Sequence, residues 1–154
     1  MKSLKVGAVL LSVWSGLNLL VAAAVTVLTL RGAAPPALGM LMTEAEALRL
    51  DPRALAVVNA QAALANPCIV ALCAIVLAVV WTSLVARARW ALWTLSGALL
   101  PLQAFGFVSD AYLGGRNFAA NTVSSVVLLA GLGLCARGVF SRGADSAAVR
   151  PPSL

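Results

Sequence analysis

The side chains of this 154-residue chain that can bind a ligand or hold a proton are few, and their spacing is regular. Ser12, Ser15 and Asn18 form one set, and Asn59, Asn66 and Cys73 a second; Ser96, Gln103 and Asp110 form a third, and Asn117, Asn121 and Ser124 a fourth. Steps of three, four or seven put each set on one face of a helix. Carboxamides and hydroxyls donate and accept hydrogen bonds without carrying charge. That chemistry suits a site for a small polar or amphipathic ligand, and equally a contact between helices. The ligand candidates are Asn18, Asn66, Gln103, Asp110 and Asn121.

Asp110 is the one carboxylate near an apolar stretch, where such a group is a functional candidate by default. Its place at the end of that stretch, a short turn away from Arg116, predicts a solvated or structural ion pair rather than a proton relay. The chain has no histidine, which removes the usual haem, zinc and general-base chemistries. Cys68 and Cys73 lie roughly 140° apart around a helix and cannot pair there, Cys135 stands alone, and no C-x-x-C is present. Free apolar thiols are expected. No phosphate loop, nucleophile elbow or cluster of metal ligands occurs, so no catalytic residue, metal or cofactor is expected.

The elements that position these residues are four long apolar stretches, at about 6–30, 67–85, 90–109 and 118–140. A hydrocarbon core of about 30 Å takes about 20 helical residues, so each stretch is long enough to cross one. Lipid offers no partner to backbone groups, which leaves helices, since the alternating segments of a β-barrel are absent. With 62% hydrophobic and 10% charged residues there is no room for a separate water-soluble domain. The expected fold is an all-α integral membrane protein: a four-transmembrane-helix bundle forming a single membrane domain over 1–154. Short extracytoplasmic surface helices are expected in the outer connection, 31–66, and a cytoplasmic tail over 141–154.

Charge gives the stretches a direction. Lys2, Lys5, Arg87, Arg89, Arg137, Arg142 and Arg150, against Asp145, fall on one side; Arg31, Arg49, Arg53 and Arg116, against Glu44, Glu46, Asp51 and Asp110, fall on the other. Seven basic residues against four put both termini in the cytoplasm, and the whole net charge of +6 with them. Trp81, Trp90 and Trp93 then ring the inner turn, while Phe105, Phe107, Tyr112 and Phe118 flank the outer one. The basic residues follow topology rather than clustering with exposed aromatics, so nucleic acid is not expected; the partners expected are the lipid bilayer and a second copy or another membrane protein. The first stretch, at 25 residues, exceeds the 7 to 15 of a signal-peptide core and is expected to remain as an anchor.

Within the outer connection, Thr43 to Glu46 has the form of a capping box, and Asp51-Pro52 is a helix start with Asp as cap and Pro at the first position. Asn66-Pro67 leaves two arrangements open. A surface helix from Pro52 ends there and the second span begins at Pro67, or one long kinked helix runs from Pro52 to Val85. Pro101 predicts a kink in the third span. Ala8, Ser12 and Gly16 form a small-residue ladder for close helix approach, with a weaker one at Gly131 and Cys135.

By depth, Asn18, Asn66, Gln103, Asn117 and Asn121 all fall in the outer half, and only hydroxyls and thiols in the inner half. The bundle is expected to be polar toward the outside. The function that demands least chemistry is a non-enzymatic accessory or structural membrane component. A binder or carrier of a small solute or lipid, in a pocket open to the outer face, is the alternative; an enzyme or proton-coupled transporter using Asp110 comes third. Abundant Ala and a preference for Arg over Lys associate the chain with a bacterial inner membrane.

Overall fold

The computed structural model describes residues 2–33, 42, 46, 49, 51–112 and 114–141, all but a few of them helical. The helices are α1 (Lys2–Leu30), α2 (Pro52–Val79, continued by a π-helical turn Val80–Leu84), α3 (Arg89–Tyr112) and α4 (Phe118–Phe140). All four are long and apolar enough to cross a membrane. Residues 43–45 of the capping box and 142–154 of the carboxyl-terminal tail lie outside the described residues.

Local chemistry sets the ends. The Asp51 carboxylate accepts the Arg53 N–H at 3.0 Å and Pro52 supplies the first helical φ, so α2 starts where the Asp-Pro pair encodes a start. α1 and α3 stop in one and the same way. Ala33 N–H reaches back to Leu28 O and Gly32 N–H to Thr29 O; Gly115 N–H reaches Asp110 O and Gly114 N–H reaches Ala111 O. Gly32 and Gly114 take φ of 85° and 78°, the left-handed conformation that such a stop requires and that glycine adopts without strain.

α2 resolves the choice left open at Asn66-Pro67. No helix starts at Pro67, which lies inside a continuous helix. Proline there forfeits one backbone hydrogen bond, a loss apolar helices tolerate when neighbours take up the freed group. Including its π turn, α2 spans 33 residues, roughly 50 Å.

α1 is the central helix, packed on both α2 and α4, while α3 rests on α4 and on the π turn. α1 and α4 run antiparallel, since Leu4 meets Gly138, Gly7 meets Gly131 and Cys135, and Trp14 meets Ser124. A Cβ on Gly7 would lie 2.6 Å from Cys135 Sγ and 2.8 Å from both Cys135 N and Gly131 O, so backbone there touches backbone. The tight contact uses Gly7 rather than the small residues at 12 and 16, and Gly16 has open space beside it. The core is leucine-rich, with Leu11, Val80, Leu84, Leu99 and Leu128 fully buried. At most 33% of any helix's apolar window is buried, so most of the apolar surface faces outward.

Candidate functional site

Beyond Trp14 the close α1–α4 contact gives way to an open groove of about 690 Å³, within the roughly 300–1,000 Å³ of small-molecule sites. α1 contributes Val13, Trp14, Leu17, Asn18 and Val21 to its walls. α4 contributes Asn121, Val123, Ser124 and Val127, together with Ala119 and Ala120, and Asn117 just before it adds a third carboxamide. The walls are mainly apolar, carry no charge and hold three carboxamides.

A chain of hydrogen bonds closes the groove on the side of α3. The Trp14 indole N–H donates to Ser124 Oγ at 2.8 Å, and Ser124 donates to Gln103 Oε1 at 3.4 Å. Gln103 Nε2 donates to the Asn121 carbonyl at 3.2 Å, and Asn121 Nδ2 to the Gly106 carbonyl at 3.3 Å. Three helices are thus tied by side chains that would each be costly unpaired in an apolar setting. Such bonds contribute about 0.6–2 kcal/mol apiece between helices in membranes, the longer ones toward the lower figure. Two residues earlier on α1 a second indole repeats the device toward α2, with Trp81 Nε1 donating to Ser12 Oγ at 3.0 Å.

Of the five candidates from the sequence, Asn18 and Asn121 line the groove. Asn18 donates to the Trp14 carbonyl one turn back, and its amide oxygen has no partner among the described residues. Gln103 stands behind the groove as part of the clasp. Asn66 is elsewhere, on α2, with its amide folded back onto the Ala62 carbonyl at 2.8 Å.

Asp110 is 2% exposed, and the pairing expected for it is corrected. Its Oδ1 accepts the backbone N–H of Asn117 at 2.8 Å, while Arg116 is exposed and forms no ion pair among the described residues. The cause is the turn. Gly114 and Gly115, both at positive φ, swing the chain back so that the amide before α4, not the next side chain, meets the carboxylate. A negative group at this helix start also complements the helix dipole. Asp110 Oδ2 is buried without a partner among the described residues. The three cysteines are free, with Cys73 and Cys135 buried and Cys68 exposed.

Two residues central to this arrangement, Trp14 and Gly7, are absent from the polar stripes. Their signal was present: a tryptophan in mid-stretch needs a partner for its N–H, and Leu4, Gly7, Leu11 and Trp14 fall on one face in steps of three and four. No protein family, curated protein or solved structure matches the chain.

Proposed function

We propose that the chain is a multi-pass integral membrane protein of a bacterial inner membrane, with both termini in the cytoplasm, and that it serves as a non-enzymatic accessory or structural component. The observation that carries this reading is where the polar side chains are spent. Trp14, Ser124, Gln103 and Asn121 hold three helices together, and Asp110 holds the turn that starts α4. Outward, the helices present Leu20, Ile75, Phe105 and Val126, each between 59% and 68% exposed. In water so much apolar surface drives aggregation; in a bilayer it is what the solvent requires. The tryptophans 81, 90 and 93 are exposed at the basic end, where an interfacial belt is placed by the charge pattern.

A structural component has a protein neighbour in the membrane, another subunit or a second copy. With a photo-crosslinking residue at Leu20, Ile75, Phe105 or Val126, one face of the bundle is expected to give a single discrete protein adduct in cells. Lipid adducts alone from all four faces would contradict the reading.

The groove favours a second reading, the binding of a small amphipathic molecule against Asn18, Asn117 and Asn121. Val123 lines the groove and is 65% exposed. A small-molecule adduct captured at Val123 and absent from the four outer faces would support it.

A further inference from the structure

A second groove lies between α3 and α4 at the basic end, with a volume of about 310 Å³. Its walls are apolar apart from Ser96, and Leu132, Gly133, Trp93 and Phe140 contribute most of what matters here. The rim is cationic. The Arg89 guanidinium carbon sits 5.4 Å above the Phe140 ring, at the groove's end. Arg89, Trp93 and Ser96 follow one another at helical spacing on α3, and Gly133, Arg137 and Phe140 do so on α4. Both arginines are exposed, and neither has a carboxylate partner among the described residues.

We propose that this groove binds one anionic phospholipid, with an acyl chain along Leu132 and Gly133 and the phosphate between Arg89 and Arg137. The assignment rests on the membrane-inserted reading, with this end at a leaflet that carries acidic lipids. Each feature matches one part of such a molecule. The apolar channel takes a hydrocarbon tail and has nothing to hold a free phosphate within it. Arginine forks suit phosphate oxygens and keep their charge. The phosphate falls between the first turn of α3 and the last turn of α4, whose dipoles oppose each other, so the two arginines supply the attraction. Trp93, 68% exposed at the groove wall, sits where an amphipathic ring meets headgroups. Charge complementarity therefore selects a lipid over an apolar protein helix, which would offer neither arginine an anionic partner.

The test uses the full chain in nanodiscs of equimolar phosphatidylcholine and phosphatidylglycerol, followed by native mass spectrometry of the released protein. One phosphatidylglycerol per chain is expected to persist in preference to phosphatidylcholine. In Arg89→Gln/Arg137→Gln that preference should fall by about a factor of five for each arginine removed. Arg31→Gln/Arg53→Gln removes the same charge at the far end and should leave it unchanged. Gly133→Leu puts a branched side chain into the groove from a position where a Cβ meets nothing within 4 Å, and should displace the lipid while helicity is kept. Added inorganic phosphate should not compete.

Equal retention of the two lipids by an inserted chain overturns the site alone, as does an unchanged preference in Arg89→Gln/Arg137→Gln or displacement by phosphate. A discrete protein adduct in place of lipid, captured in cells from Leu129 on the groove wall, also overturns it. A chain that stays outside the nanodisc overturns the site together with the membrane reading on which it rests.

Discussion

Gly7→Ala should destabilise the bundle by about 3 kcal/mol, the upper part of the range for overpacking a filled core. One methyl group suffices because of what it meets. Two of the three nearest atoms are backbone, Cys135 N and Gly131 O, each at 2.8 Å, and backbone cannot rotate away as a long side chain can. α1 and α4 would have to part, and α1 is the helix on which α2 and α4 both depend. Gly138→Ala meets Leu4 Cβ at 2.6 Å and should behave similarly, whereas Gly131→Ala meets the movable end of Leu11 at 3.0 Å and should cost less. Gly16→Ala and Gly133→Ala are the controls. Each has open space, and alanine's better helix propensity is worth up to about 1 kcal/mol, so they should be neutral or stabilising. Reversible unfolding in mixed micelles, followed by tryptophan fluorescence, measures all five. Equal effects at Gly7 and Gly16 would mean that the close α1–α4 contact does not exist.

Asp110→Ala should cost about 1–2 kcal/mol, the lower part of the penalty for leaving a donor without its acceptor, because the donor is partly buried. The donor is the Asn117 N–H, and the loss falls on the turn that joins α3 to α4. Asp110→Asn keeps an oxygen at the acceptor position and should stay within about 1 kcal/mol of the parent. The same micelle unfolding separates the two variants. If Asp110→Ala is neutral, the carboxylate does not hold the turn. If Asp110→Asn folds normally yet abolishes a measurable transport or catalytic activity, Asp110 has chemistry beyond the turn and the non-enzymatic reading falls.

The helices were legible because their length and hydropathy follow from the apolar runs themselves, and the start of α2 because Asp51 and Pro52 are a local signal. What depends on docking was not. Asn66-Pro67 is a helix-ending pair by local rules, yet the helix continues, with the Asn66 amide folded onto its own helix. Ala8, Ser12 and Gly16 and the stripe through Gly7 are adjacent faces of α1 with the same periodicity. Because α1 is covered on two sides, periodicity alone does not say which face meets backbone. Asp110 lies close in sequence to both Arg116 and Asn117, and the choice between them is made by two successive glycines at positive φ. The carboxamides separate for a similar reason. Depth along each stretch placed Asn18, Gln103 and Asn121 at one end, but facing Asn18 and Asn121 toward a groove and Gln103 into a clasp depends on how α1, α3 and α4 meet.

Single cysteines test directly whether the chain crosses a membrane four times with its basic end in the cytoplasm. In a background with the three native cysteines replaced, Ala33→Cys, Ala86→Cys, Ala111→Cys and Ser141→Cys each put a thiol at an exposed position at or next to a helix end, without touching a charged residue. A membrane-impermeant maleimide applied to spheroplasts should modify Ala33→Cys and Ala111→Cys at once, and Ala86→Cys and Ser141→Cys only after lysis. Modification of all four before lysis, or the reverse pattern, would contradict the account.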